Sequence, residues 1–423
     1  MGDDSTGALI DGLPRRFSAA GTEHPQGRWR LHVGRAFPRD VVIGGDTCEV
    51  GKPAGKPDAE IFAPAGVWRE MYEGRLSGIE AFAKGELNVR GSIEKALRFE
   101  TMFFRPDAGG LEYSIEMVPV GRAKVSALFA GDPEAQPLVL MHGLGATKSS
   151  WLTVVPELAR RYRVIAVDLP GFGASTKPRA RYDAEFLASS MVEFFDVLGY
   201  DSVLLAGNSM GGRVAMEIAM LEPDRVQAIA CLCPAAAFSR RPVLWLARVA
   251  RPELGFFAPR IPRSQVISSI RQLFGDPDVL PQEWYEAAAD DFLLSWRSPR
   301  SRMAFFAAAR NIYLDEPFGE QGFWARLRLM ATPALFIYGG KDVLITSRFG
   351  GRVQRELPAA QVEVWDDCGH VPQIEHPDRT VDQMVDVGLL RAWPPHVVDE
   401  GVPSRDQPPK GGRHRHLAST PLL

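Results

Sequence analysis

The chain has 423 residues, which is longer than one average domain, so two domains are expected, with room for a tail. Its 45% hydrophobic and 24% charged residues are typical of a water-soluble globular protein. The formal net charge of -3 gives no basic footprint for nucleic acid, and no uninterrupted apolar run approaches the length of a membrane span.

The N-terminus and the cysteines indicate the compartment. The first residues, MGDDSTGALIDGLPRR, are acidic and lack the apolar stretch of a signal peptide. The four cysteines show no metal-ligand spacing, and buried reduced thiols are expected; they are Cys48, Cys231, Cys233 and Cys368. We therefore predict a cytoplasmic protein without a bound metal or cofactor.

The first part of the chain predicts a small α+β domain over residues 28–105. Residues 1–27 are rich in Gly, Asp, Ser and Thr, which predicts a disordered N-terminus. Alternating segments RWRLHVG, RDVVIGGDTCEVG and DAEIFAP then predict strands. The apolar spacing over 66–85 predicts a helix, ELNVRG a short strand, and Ser92 the N-cap of a last helix.

Beyond a linker at 106–110, the pattern predicts a doubly wound, mostly parallel sheet. Near-continuous apolar strands such as PLVLMHG and RVIAVDLPG alternate with helices, as in a sheet covered on both faces. This core is expected at 111–236 and 333–392. Residues 237–332 interrupt it with aromatic-rich helical segments and predict a cap. The Pro-, Gly- and charge-rich tail, 393–423, is expected to be disordered.

One serine in this core carries the pattern of a nucleophile. Ser209 lies in GNSMG, between an apolar strand and a helix, which is the context that the G-x-S-x-G motif requires. The turn is sharp, so glycines are needed at 207 and 211. The quintet also arises by chance, and a harmless serine in a Gly-rich turn remains the alternative until partners are found.

Two later strands supply the partners. A serine hydroxyl needs a base, and the base needs a carboxylate that holds it in one tautomer. Asp342 follows the strand ALFIYGGK, and His370 follows VEVWDDCG, in the order Ser, Asp, His. Asp366 and Asp367 are interpreted as loop carboxylates.

The oxyanion of an acyl-transfer reaction requires two backbone N–H donors. We expect them from Met210, directly after the nucleophile, and from Leu144 in the loop HGLG. His142 is also a candidate base, but its position before a glycine at a strand end predicts that its side chain orders this loop.

Five ordered motifs give the chain its resemblance to a known family. HGLG, DLPGFGAS, GNSMGG, GGKD and CGHVPQIEHP together resemble the α/β-hydrolase superfamily over about residues 113–390. The resemblance implies a catalytic triad of Ser209, Asp342 and His370, with residues 237–332 as the cap over the active site. It implies structural roles for Asp168 and His376.

The first domain resembles a different family. The run WREMYEGRLSGIEAFAKGELNVRGSIEKALRFETMF is similar to the sterol carrier protein type 2 domain, over about residues 28–105. The resemblance implies a tunnel for an acyl chain or a sterol-like ligand. A packing or dimerisation domain is the alternative.

These features favour a serine hydrolase that cleaves a carboxylic ester, with an apolar or lipid-like substrate. A carbon–carbon bond hydrolase of the meta-cleavage type is the first alternative, because GNSMGG and the QIEH after His370 resemble that family. HGLG and Val371 depart from its pattern. A lipid carrier or scaffold with an inactive hydrolase domain is the second. No nucleic acid and no integral membrane segment are expected.

Overall fold

The computed structural model describes residues 3–18, 26–34, 36–104, 108–236, 251–257 and 260–386. These residues form two β-sheets, one of five and one of eight strands. The five-stranded sheet belongs to the first domain, and the eight-stranded sheet to the hydrolase-like region. The predicted fold class is confirmed in both parts.

The first domain is a sheet of order β3-β2-β1-β4-β5 with helices against it. Its strands are β1 Gln26–Val33, β2 Arg39–Gly44, β3 Thr47–Gly51, β4 Ala59–Ala63 and β5 Asn88–Gly91, and the helices up to residue 103 are α1 Asp3–Asp11, α2 Ala65–Tyr72, α3 Gly78–Ala83 and α4 Ile93–Phe103. Only β1 and β4 pair in parallel, with Leu31 opposite Ile61. Burial alternates along β1, where Trp29, Leu31 and Val33 are buried, as expected for a sheet with one covered face.

Two predictions for this domain need correction. The predicted disorder at 1–27 is wrong for residues 3–15, which form α1 and a 3-10 turn at Leu13–Arg15, because Ile10 and Leu13 are buried in the core of the domain. The single helix predicted over 66–85 is two helices, because Gly74 adopts a left-handed φ of 73° and Ser77 begins α3 with a capping box to Glu80. Ser92 caps α4 as predicted, accepting from the Lys95 N–H at 3.1 Å.

The hydrolase-like region is an eight-stranded sheet of order β13-β12-β11-β10-β8-β9-β7-β6. Its strands are β6 Tyr113–Val120, β7 Ala123–Ala130, β8 Pro137–Met141, β9 Arg163–Val167, β10 Val203–Asn208, β11 Val226–Leu232, β12 Ala334–Gly339 and β13 Gln361–Trp365. The pairs β6–β7 and β7–β9 are antiparallel, and all others are parallel. The parallel strands therefore end at one edge, where the site lies.

The remaining described helices surround this sheet or form the cap. They are α5 Val155–Leu158, α6 Ala184–Leu198, α7 Met210–Leu221, α8 Arg263–Arg271, α9 Gln282–Trp296, α10 Pro299–Leu314, α11 Phe323–Arg328, α12 Arg348–Glu356, α13 Pro372–Glu375 and α14 Pro377–Asp386. The described part of the predicted cap contains α8 to α11 and a 3-10 segment, Pro252–Phe257. The predicted disordered tail at 393–423, like residues 237–250, lies outside the described residues. None of the described helices combines the length and apolar character of a membrane span.

One hydrophobic cluster crosses from the first domain into the hydrolase-like region. It includes Ile79 and Leu97 from the first domain together with Leu152 and Val155 from the segment that follows β8. All four side chains are buried. The two parts of the chain therefore share a core.

Candidate active site

Ser209 occupies a strained turn between β10 and α7. Its φ of 54° and ψ of -112° lie outside the regions that non-glycine residues favour. A Cβ on Gly211 would lie 2.0 Å from the Met141 carbonyl oxygen, and one on Gly207 would lie 2.2 Å from the Gly211 carbonyl carbon. The flanking glycines are thus required by close backbone packing, as the motif predicted.

Asp342 and His370 meet at the carboxyl edge of the sheet. Asp342 lies three residues beyond β12, and His370 lies in the loop after β13. The His370 Nδ1 is 2.7 Å from the Asp342 Oδ2, and both side chains are at most 5% exposed. Asp342 Oδ1 accepts from the N–H groups of Leu344 and Ile345, at 2.7 and 2.9 Å. These bonds orient the carboxylate toward the imidazole.

Asp367, by contrast, contacts other side chains at the surface. It forms an ion pair with Arg379 at 3.2 Å, and its side chain is 63% exposed. Its Oδ2 is also 3.7 Å from the His376 Nε2. The interpretation of Asp367 as a loop carboxylate agrees with these contacts.

Asn208 connects the turn of Ser209 to the loop of His370. Its amide donates to the backbone carbonyl of His370 at 2.9 Å and to that of Leu232 at 3.0 Å. The Ser209 N–H also donates to the Leu232 carbonyl, at 2.9 Å. The structure therefore brings the three predicted triad residues to one place. Asn208 was not predicted as a site residue, although it lies inside the GNSMG motif.

The two predicted oxyanion donors flank the same serine. Met210 begins α7, so its N–H has no partner within the helix. Leu144 lies in the loop of residues 142–147, which we call the oxyanion loop. A Cβ on Gly143, the residue before Leu144, would lie 3.3 Å from the Ser209 Cβ. The loop thus lies against the serine.

His142 orders this loop and is a neutral side chain. The N–H of Leu169 donates to its Nε2 at 3.0 Å, so the proton is on Nδ1, which donates to the Gly143 carbonyl at 2.7 Å. Burial lowers the pKa of this imidazole. Both nitrogens are committed, in agreement with the predicted ordering role.

Comparison with known proteins identifies the family of the chain. Residues 136–377, more than half of the chain, match the family described as alpha/beta hydrolase fold. The chain belongs to the α/β-hydrolase fold family. Residues 30–104 match the SCP-2 sterol transfer family, so the hydrolase domain follows an SCP2-like domain.

Individual relatives of the hydrolase domain differ in their described activities. A dihydrolipoyllysine-residue acetyltransferase component of an acetoin cleaving system from Pseudomonas putida is 32% identical over 60% of this chain and 64% of its own length. The chain thus matches less than two thirds of that relative.

Two solved structures have similar folds. A bacterial membrane phospholipase A aligns with a TM-score of 0.55 and 27% identity, over 66% of this chain and 86% of its own. A 2-hydroxy-6-oxo-6-phenylhexa-2,4-dienoate hydrolase from Rhodococcus sp. strain RHA1 aligns with a TM-score of 0.56 and 25% identity, over 67% of this chain and 100% of its own.

Cys233 is a neighbour of the hydrolase site that was predicted only as a buried thiol. It follows β11 with a left-handed φ of 44°. Its Sγ lies within 4.8 Å of the ligand atoms of Asp342 and His370. Burial, with the Asp342 carboxylate beside it, raises the pKa of this thiol well above its ordinary value. The Cys233 side chain is therefore a protonated thiol beside the Asp342 carboxylate.

The cap places aromatic rings over the oxyanion loop of the hydrolase domain. A Cβ on Gly145 would lie 2.9 Å from the Phe305 ring and 3.3 Å from the Phe292 ring. Gly145 itself has a φ of 77°, which favours glycine. Trp296 stacks on Phe292 and meets Phe305 edge-on. An apolar wall thus stands above the loop that carries Leu144.

Asp168, from the family motif DLPGFGAS, is part of a buried ion pair. Burial alone would raise its pKa, but the Lys148 ammonium at 2.8 Å and the hydrogen bond from the Lys148 N–H lower it below the ordinary value. The Ala174 N–H also donates to this carboxylate, at 2.8 Å. The carboxylate thus ties two loops of the sheet edge together, in agreement with the structural role that the resemblance implied.

Proposed function

We propose that the protein is a serine hydrolase that cleaves carboxylic esters with an apolar or lipid-like part. The observation that carries this proposal is the 2.7 Å contact between His370 Nδ1 and Asp342 Oδ2 beside the strained turn of Ser209. A carboxylate on Nδ1 leaves Nε2 of the imidazole available as a base.

The reaction follows from these positions. Ser209 Oγ attacks the ester carbonyl while His370 Nε2 takes the hydroxyl proton, and the N–H groups of Met210 and Leu144 stabilise the oxyanion. His370 then gives its proton to the alkoxide as the carbon–oxygen bond breaks. Water attacks the acyl-enzyme by the same route and releases the acid.

The apolar substrate is supported by the cap. The rings of Phe292, Phe305 and Trp296 stand over the oxyanion loop, and ligand sites are predominantly apolar with a few polar groups. The resemblance to a membrane phospholipase A and the match to the SCP-2 sterol transfer family support the same class of substrate.

The hydrolase site, and not the SCP2-like domain, is the proposed place of the lipid-like substrate. A cavity inside that domain has a volume of about 30 Å³ and is lined by apolar side chains and Glu100. This volume has room for about one water molecule. One wall is Leu152 of the hydrolase domain. An acyl chain or sterol-like ligand in the first domain would require this cavity to open.

The four cysteines are unpaired, which supports the proposed cytoplasmic location.

Labelling with a fluorophosphonate and hydrolysis of p-nitrophenyl esters of increasing chain length test the proposal. The wild type should be labelled once and should prefer longer acyl chains. Ser209→Ala should abolish both, whereas Ser189→Ala, at an exposed serine of α6, should change neither. A folded wild type that resists the label would refute the proposal.

A carbon–carbon bond hydrolase is the second candidate. The structural alignment that covers the whole of a dienoate hydrolase favours it. A vinylogous diketone assayed beside the esters separates the two reactions. Cleavage of the diketone without ester hydrolysis would replace the esterase proposal with this one.

A further inference from the structure

The oxyanion loop is held at both ends, but by different parts of the chain. At its first end, His142 is bonded within the hydrolase domain to the Leu169 N–H. Its last residue is Thr147, and Lys148 follows in a 3-10 turn. Leu144, whose N–H is the proposed oxyanion donor, lies between the two ends. Its position therefore depends on what holds Thr147 and Lys148.

Lys148 is held in part by the SCP2-like domain. Its side chain is 2% exposed, and its Nζ contacts Asp168 Oδ2 at 2.8 Å, Ser126 Oγ at 3.0 Å and Glu94 Oε2 at 2.5 Å. An ammonium has three N–H donors, so these three acceptors satisfy it. Glu94 lies in the first turn of α4 and is itself oriented by Arg98 at 2.7 Å. The SCP2-like domain thus supplies one of the three acceptors.

Thr147 is held by a cap helix that is itself bonded to the SCP2-like domain. The Thr147 hydroxyl donates to Asp291 Oδ2 in α9 at 2.8 Å. The neighbouring Asp290 accepts from the Gly91 N–H of β5 at 3.2 Å and from Arg263 Nε at 2.7 Å. The first domain therefore reaches the loop by a direct route through Lys148 and an indirect route through α9.

These polar contacts surround a cavity. It has a volume of about 370 Å³ and is lined by Ser92 and Glu94 of the first domain, Thr147 and Lys148 of the hydrolase domain, and Asp291 of the cap. Where side chains pack tightly, shape alone fixes a loop. The loop is packed at Gly143 and Gly145, but the space beside Thr147 and Lys148 is open, so at this end of the loop the hydrogen bonds and the ion pair set its position.

We propose that the SCP2-like domain positions the oxyanion loop of the hydrolase site, with Glu94 as a positioning residue that acts through Lys148. This inference rests on the proposed function. Loss of the Glu94 contact lets Lys148 and Thr147 shift and moves the Leu144 N–H away from the oxyanion. That N–H meets full charge only in the transition state, so kcat should fall and KM should change little.

The test compares Glu94→Ala with Glu94→Gln and with the matched control Glu73→Ala. Glu73 lies in the same domain and pairs with Arg75 on the surface, away from the cavity. We expect Glu94→Ala to lower kcat for a p-nitrophenyl ester about tenfold, a fraction of the effect of deleting an oxyanion donor. Glu94→Gln, which keeps an oxygen acceptor, should recover most of this loss, and Glu73→Ala should match the wild type.

An alkyl boronic acid supplies the readout that a merely structural role would not change. It forms a tetrahedral adduct with the nucleophile, so its affinity should fall in parallel with kcat in Glu94→Ala.

An unchanged kcat in folded Glu94→Ala, or an equal loss in Glu73→Ala, would overturn the inference. If Glu94→Ala does not fold, Asp290→Ala, which removes the acceptor of the Gly91 N–H, tests the indirect route: a parallel fall of kcat and boronate affinity supports the inference, and unchanged values overturn it. A wild type without hydrolysis or fluorophosphonate labelling would instead refute the proposed function itself.

Discussion

The side-chain amide of Asn208 donates a hydrogen bond to the backbone carbonyl of His370, 162 residues further along the chain. The residue directly before the proposed nucleophile thus holds the loop of the proposed base. The same amide donates to Leu232, so both of its N–H donors are used inside the protein. Asn208 is 4% exposed. Water has little access to the two carbonyls that it satisfies.

Substitution of Asn208 should therefore affect both stability and catalysis. Asn208→Ala removes the amide donor of the buried His370 carbonyl and leaves the Leu232 carbonyl with the Ser209 N–H alone, which is expected to lower the free energy of unfolding by about 2 kcal/mol. Asn208→Asp places an acceptor-only carboxylate against the same carbonyls and should be more destabilising. Urea unfolding and kcat for an ester measure the two effects. Equal stability of the two variants would contradict this account of the amide.

The buried ion pair of Lys148 should tolerate no neutral replacement. Lys148→Met leaves the buried Asp168 carboxylate without its cation and Glu94 with Arg98 alone, and breaking a buried pair in this way is expected to cost about 3–5 kcal/mol of stability. Lys148→Met combined with Asp168→Asn should recover part of the loss. Denaturant midpoints report both values. If the double variant loses more unfolding free energy than the two single variants lose together, the pairing is contradicted.

Glu100 should make stability depend on pH in an unusual direction. Burial raises the pKa of its carboxyl to about 7, although the Gly78 N–H and the Tyr113 hydroxyl donate to it. Because its pKa is lower in the unfolded chain, the folded state binds more protons between these two values, and stability falls as pH rises through them. The loss is fully developed above pH 7.

Glu100→Gln is the matched comparison. Its free energy of unfolding, relative to the wild type, should increase by about 3 kcal/mol between pH 4.5 and pH 8, which follows from 1.36 kcal/mol per pKa unit. Asp291, whose pKa burial raises to about 6, titrates in both proteins and cancels. A difference that stays constant with pH would show that Glu100 ionises normally in the folded chain.

The cysteines should resist thiol reagents in the folded protein. Burial raises the pKa of Cys48 to about 11, with a further contribution from Glu49, and raises the pKa values of Cys231, Cys233 and Cys368 as well. Since the thiolate is the reactive form, Ellman's reagent at pH 8 should react with none of them rapidly. All four should react in guanidinium chloride. If the folded Cys48→Ala variant still reacts rapidly with the reagent, one of the other three cysteines is accessible, which would contradict their burial.

The proposed triad was accessible from sequence because each member follows a strand of the same sheet. The strands before Ser209 and Asp342 are almost entirely apolar, the strand before His370 is the mixed sequence QVEVW, and the ends of these parallel strands lie at one edge of the sheet. The split of the predicted helix at Gly74 and the ordered segment at 3–15 were not predicted. Ile10 and Leu13 lie in a short segment with few apolar residues, and the residues that they pack against lie elsewhere in the chain.

The contacts of Lys148 and Cys233 were inaccessible for a different reason. Glu94 and Lys148 belong to segments that resemble two unrelated families, so neither pattern predicts the other as a partner. Cys233 follows β11 and Asp342 follows β12, and their proximity was not expected from the pattern of either strand. Long-range pairings of this kind depend on the final packing of the elements, which periodicity does not report.

The hydrophobic cluster shared by Leu97 and Leu152 has a consequence for how the chain can be divided. Cleavage in the linker between the two families would expose apolar surface on both fragments, because each supplies part of the other's core. The SCP2-like domain and the hydrolase domain should therefore unfold in a single calorimetric transition and not in two. Each half, expressed alone, should therefore be less soluble than the whole chain, because part of its core would face water.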